Sequence, residues 1–154
     1  MRKIKTNITD RKISFVEYDT SKNWIANFPD KNWCLIVIAD EKNQNYFNEI
    51  IKKSIERNVA YICSVGKQHD FIHDLADEEI TYREVDMDNH YLPKHLIMTV
   101  GNEDFEEGIW FGLKLTFHNE TKIDETIILD ITNKAYPKLM ELIIKMENEN
   151  LEQT

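Results

Sequence analysis

With 154 residues, 42% hydrophobic and 31% charged, the chain has an ordinary globular composition and is long enough to bury a full core. A formal net charge of −9 and a pI near 5.0 argue against nucleic acid or an anionic membrane as partner. No apolar run approaches the roughly 20 residues that span a bilayer.

The chain opens on "MRKIKTNITDRK", whose cations are interleaved with isoleucines but no aromatic ring on which a base would stack. It reads as a solvated lead-in over residues 1–11 of a single domain spanning 1–154. Its charged first decade does not resemble a signal peptide. The two cysteines, Cys34 and Cys63, lie inside the apolar runs "WCLIVIA" and "VAYICSV". There they are expected as reduced, packed side chains, although neighbouring strands would allow a bridge. The expected location is the cytoplasm.

"KISFVEY" (12–18) alternates apolar and polar residues and predicts a half-exposed edge strand. The aromatic-rich "NWIANFPDKNW" (23–33) follows as irregular chain turning at Pro29-Asp30. "WCLIVIAD" (33–40) is continuously apolar, the pattern of a parallel strand buried on both faces. In "NQNYFNEIIKKSIERN" (43–58), Phe47, Ile50, Ile51 and Ile55 form one helical stripe, and Asn58 marks a stop. "VAYICSVG" (59–66) is a second buried strand ending at Gly66. "HDFIHDLADE" (69–78) predicts a short helix, and "ITYREVDMDNHYLPK" (80–94) a surface crossing.

"HLIMTVGN" (95–102) predicts a third buried strand. "EDFEEGIWFGLKLTFHN" (103–119) predicts an amphipathic helix with His118 in its last turn. Gly108 and Gly112 would bring that helix close to the sheet. "ETIILDIT" (125–132) is a fourth buried strand. A closing helix carries the stripe Leu139, Leu142, Ile143 and Met146, with Pro137 near its start and a frayed tail over 147–154. Strands alternating with helices imply an α/β three-layer sandwich, a mostly parallel sheet with helices on both faces, Rossmann-like or flavodoxin-like.

Ligands of such sheets bind beyond the carboxyl ends of the strands, where connections diverge. That rule selects Asp40-Glu41, Gly66-Lys67-Gln68-His69, Gly101-Asn102-Glu103-Asp104 and Thr132-Asn133. The candidate ligand-binding residues are Asp40, Glu41, Gly66, Lys67, His69, Gly101, Asn102 and Glu103. This rim is mostly acidic, with Lys67 as its cation and His69 as its imidazole.

Several established chemistries fail on spacing. "IADEKNQN" has no glycine for a dinucleotide turn, and no stretch matches a phosphate-binding P-loop. Ser64 does not stand between glycines as a nucleophile elbow requires. A phosphoacceptor arrangement lacks its later Asp and Lys. His69 and His73, four apart, would share a helix face, but Asp70 stands where a zincin needs Glu. The simpler reading is a solvated helix start with both histidines outward. Cys63 lies about three residues inside its strand, where a thiolate is disfavoured. No catalytic residue, metal ligand or cofactor is therefore assigned. Trp24, Phe28, Trp33 and Trp110 are expected mainly as core, with an exposed aromatic patch for a protein partner or second copy as the alternative.

The segments "CLIVIAD", "AYICSVGKQHDFIHD", "LIMTVGNEDFEEGIWFGLKLTFH" and "ETIILDI" together resemble a family of small uncharacterised bacterial proteins, a domain of unknown function, over residues 33–132. That family's pattern has a Trp-Gly turn followed by a cysteine and a tryptophan-acid pair, where this chain has Val65-Gly66, His69 and Ile72-His73-Asp74. It also has Trp-His-Glu after the third buried strand, where Gly101-Asn102-Glu103 stands here. The resemblance implies a compact α/β fold and transfers no catalytic residue. The expected function is non-enzymatic: an immunity-like, adaptor or accessory protein acting through a partner surface. The alternative is a nucleotide- or metal-dependent small-molecule site, or an enzyme, at the strand-end rim.

Overall fold

A computed structural model describes residues 1–86 and 90–152. Its centre is one six-stranded sheet of order β1-β2-β6-β3-β4-β5. The strands are β1 (Arg2–Ile4), β2 (Lys12–Glu17), β3 (Trp33–Ile38), β4 (Tyr61–Val65), β5 (Met98–Asn102) and β6 (Glu125–Asp130). All neighbours are parallel except β1, which pairs antiparallel with β2. The helices are α1 (Gln44–Glu56), α2 (His69–Val85), α3 (Phe105–Trp110) and α4 (Tyr136–Glu152). The α/β sandwich expected from the alternation is what forms.

Side-chain alternation along the strands divides the core in two. Cys34, Ile36, Cys63 and Ile128 pack on one face with Ile109 of α3 and Leu139, Ile143 and Met146 of α4. Leu35, Val37, Ile62, Ile127 and Leu129 pack on the other with Phe47, Ile50 and Ile51 of α1 and Ile72 and Ala76 of α2. Each central strand is therefore covered twice, which is why β3, β4 and β6 are buried along almost their whole length.

Five expectations change. β2 is not an edge strand: part of the lead-in, Arg2–Ile4, pairs with its outer side, and Ile13 to Val16 are buried. Helix α2 continues beyond residue 78 to Val85. Arg83, almost wholly buried, holds that extension by reaching Glu79 at 2.8 Å and the Tyr91 carbonyl at 2.9 Å. Residues 87–89 of the expected surface crossing lie outside the described residues. β5 is an edge strand and is only part-covered, not buried on both faces.

The helix expected through His118 is α3 followed by a π-helical turn, Phe111–Leu115, in which the Thr116 N–H donates to the Phe111 carbonyl. Beyond it, His118 approaches the Leu96 carbonyl at 2.6 Å. Gly112 permits the close approach: a Cβ there would stand 2.4 Å from Ile36 Cδ1. Finally, residues 147–152 of the expected frayed tail continue α4, while 153 and 154 lie outside the described residues.

Trp24, Phe28 and Trp33 are core, not a surface patch. They stack edge-to-face in series at ring-centroid distances of 5.4 and 5.6 Å. The loop carrying Trp24 and Phe28 crosses from β2 to β3 on the α1 face. Trp110, at 43% exposure, is the one of the four that remains accessible.

A candidate site at the strand-end cleft

β3 and β6 are adjacent and parallel, yet α1 leaves β3 toward one face and α4 leaves β6 toward the other. The divergence opens a cleft of about 970 Å³ at the carboxyl ends of the strands.

Each wall is built by its local sequence. On the β3 side, Asn43 caps α1 by accepting the Tyr46 N–H at 3.1 Å. On the β6 side, the fully buried Asp130 accepts the N–H of Thr132 at 2.9 Å, its hydroxyl at 2.6 Å and the N–H of Ala135 at 2.9 Å. This carboxylate folds the turn that starts α4. On the β5 side, Asp104 caps α3 through the Glu107 N–H at 2.8 Å.

β4 contributes the tightest turn. Gly66 has φ +108°, and a Cβ there would meet the Ala39 carbonyl oxygen at 2.6 Å. Asp40 Oδ1 accepts the following N–H, that of Lys67, at 3.3 Å. Asp40, Glu41, Gly66, Lys67 and Glu103 of the expected rim line the cleft.

His69, Gly101 and Asn102 stand outside it. The His69 ring lies 2.9 Å from the Gly66 carbonyl through Nδ1 and 3.2 Å from Asp70 through Nε2. Its Cδ2 sits 3.3 Å from where a Gly101 Cβ would be, so the ring packs on β5 rather than opening to the rim. His73 is likewise engaged rather than turned outward, with Nε2 3.2 Å from Thr99 Oγ1 and Nδ1 3.4 Å from Asp77.

The cleft also holds residues that strand-end reasoning missed. Lys42, Lys134 and Lys138 join Lys67, so the rim carries four ammonium groups instead of one. Lys42 lies 4.2 Å from the Phe71 ring centre and Lys138 4.4 Å from that of Phe105. Among the described residues, no carboxylate pairs with any of the four. Extending the search from each loop into the first turn of its helix would have found Lys138. The carboxylates of Glu103, Asp104 and Glu107 come from the β5–α3 connection and the first turn of α3, and Lys134 and Lys138 from the β6–α4 connection and the first turn of α4. The cleft is thus polarised between two of its walls, and among the described residues its lining contains no histidine, cysteine or serine.

The model of a family described as a domain of unknown function, DUF7684, matches the chain over residues 13–147. The chain belongs to this family. The match begins one residue into β2 and ends within α4, so it takes in every wall of the cleft. No curated protein and no solved structure matches the chain. Among the described residues, no helix is long and apolar enough to cross a membrane, and no three His, Cys, Asp or Glu side chains group to hold a metal.

Proposed function

We propose that this DUF7684 member binds a small dipolar metabolite in the strand-end cleft. The ligand carries an anionic group for Lys134 and Lys138 at the start of α4, and a cationic or hydrogen-donating group for Glu103 and Glu107. The observation that carries the reading is the separation of unpaired charge of both signs across one cleft at the point of strand divergence. The amino end of α4 adds a favourable dipole on the cationic side. Among the described residues the lining offers no histidine, cysteine or serine, so it holds neither a Ser-His nor a Cys-His pair, and binding is the reading we propose. We also propose a cytoplasmic location, which the two free, buried thiols support.

The test is a thermal-shift screen of amino acids, amino-sugar phosphates and nucleoside monophosphates, followed by calorimetry. A ligand at about 100 times its Kd adds about 2.7 kcal/mol, enough for a rise of several degrees. Lys134→Ala with Lys138→Ala is expected to abolish the rise. Glu103→Gln with Glu107→Gln weakens it, and His69→Ala, outside the cleft, leaves it in place. If none of these compound classes raises the melting temperature, the reading is wrong.

A further inference from the structure

We infer that the open edge of β5 takes up an extended, basic segment of a partner protein as an added strand. The two edges of the sheet differ in kind. β1 is three residues long and carries Arg2 and Lys3, the short cationic edge by which natural sheets avoid further pairing. β5, "MTVGN", is five residues long with no charge and no proline, and among the described residues it pairs only with β4.

Its main-chain groups divide by register. The Met98 N–H donates to the Ala60 carbonyl at 3.1 Å, and the Asn102 carbonyl accepts the Gly66 N–H at 3.0 Å. Met98, Val100 and Asn102 therefore point their main-chain groups toward β4. Alternation sends those of Thr99 and Gly101 outward, and both residues are part-exposed. Two N–H and two C=O groups form a ready template for a guest strand.

The surroundings specify the guest. On the α2 face, Asp77 accepts the Thr99 hydroxyl at 2.7 Å, with Asp74 and its neighbour His73 one turn earlier. Glu120 accepts the Leu96 N–H at 3.1 Å just before the strand, and Glu103 and Asp104 follow its end. Lys94 is the cation of the stretch leading into β5. On the α3 face stands Met98 at 41% exposure, in line with the part-buried Val100. Leu96 is also exposed just ahead of the strand, at 62%. A guest with period two fits: Lys or Arg toward Asp74 and Asp77, apolar side chains toward Met98 and Val100. A second copy fits poorly, because antiparallel pairing of β5 with itself would oppose the acidic faces of two α2 helices.

The probe is a fluorescein-labelled octapeptide alternating lysine and valine, read by anisotropy and by amide shifts of the 15N-labelled protein. The basic peptide is expected to bind, to shift the Thr99 and Gly101 amides and to slow their exchange. Its glutamate-for-lysine counterpart is expected not to bind. N-methylation of the peptide at alternate residues, in the register that adds the strand, weakens binding by about tenfold or more, since each lost hydrogen bond removes part of the affinity. Thr99→Pro, which deletes one outward donor, acts similarly. The methylated peptides keep the question decidable if that variant misfolds. Undiminished binding by peptides methylated in either register, shifts confined to the cleft, no binding, or a β5-paired homodimer by light scattering would each overturn the inference.

Discussion

The fully buried carboxylate of Asp130 and the main-chain N–H of Ala135 meet at 2.9 Å beneath the turn that leads into α4. Because the same carboxylate accepts two hydrogen bonds from Thr132, the β6–α4 wall depends on one side chain. Asp130→Ala leaves these donors unpartnered and is expected to cost about 3 kcal/mol. For a chain of this length, that lowers Tm by roughly 10 °C. Asp130→Asn retains one acceptor but turns an amide toward a donor, so its Tm should fall between the two. Scanning calorimetry orders the three proteins, and amide exchange at Ala135 accelerates in both variants.

Gly66 holds the neighbouring wall. With φ +108° and a prospective Cβ 2.8 Å from Asp40 Oδ1, alanine there meets backbone strain and collision together. Gly66→Ala is expected to destabilise by about 1–3 kcal/mol, seen as a lower urea midpoint at unchanged slope. It should also weaken ligand binding, because relief of the collision moves Asp40 off the Lys67 N–H. A stable variant with wild-type binding would show that this turn has room to relax.

The parts of the fold readable in advance are those fixed by local rules. Continuous apolar runs marked β3, β4 and β6, and the stripe Leu139, Leu142, Ile143 and Met146 marked α4, because each is buried by its own period. What could not be read depends on strand order. Three residues of β1 have no period, and they exist as a strand only through pairing with β2. The second half of α2 rests on Arg83, whose partner Glu56 at 3.6 Å belongs to α1. The same limit applies to the cleft. Lys134 and Lys138 face the β3 loop only because β6 inserts between β2 and β3, which no local pattern encodes.

Tyr18 and Glu49 supply a pH signature. The Tyr18 hydroxyl donates to Glu49 Oε2 at 2.6 Å, and that bond holds the Glu49 carboxyl below its ordinary range. Burial, followed by the same bond, raises the tyrosine. A depressed carboxyl stabilises the fold above the unfolded glutamate pKa of about 4.3, and this contribution is lost as pH falls through the folded value. A raised tyrosine contributes below the unfolded pKa of about 10 and loses that contribution at higher pH. Tyr18→Phe is therefore expected to cost about 1 kcal/mol across the neutral plateau. The difference from wild type shrinks on acidification below about pH 4. Urea titrations of both proteins in acid and neutral buffer test this, and a difference unchanged in acid would rule out the assignment.

The two cysteines make the final prediction, about reactivity. Their Sγ atoms lie 4.0 Å apart, across strands whose register pairs Cys34 with Tyr61 and Cys63 with Ile36. That is about twice the length of a disulfide bond, and both thiols are buried beneath the π-helical turn that follows α3. Burial pushes the Cys63 thiol well above its usual range, with the neighbouring Cys34 acting in the same direction. Since thiolate is the reactive form, an aromatic disulfide reagent is expected to leave both cysteines untouched in the native protein. Labelling should proceed only through opening, and its denaturant dependence reports how much opens. If the π-turn is secured by the packing of Gly112 on Ile36 and Cys63, labelling follows global unfolding with the full equilibrium slope. A fast rate that does not depend on urea would instead show that α3 and its π-turn lift off the sheet locally, exposing Cys34 and Cys63 while the rest of the fold stays closed.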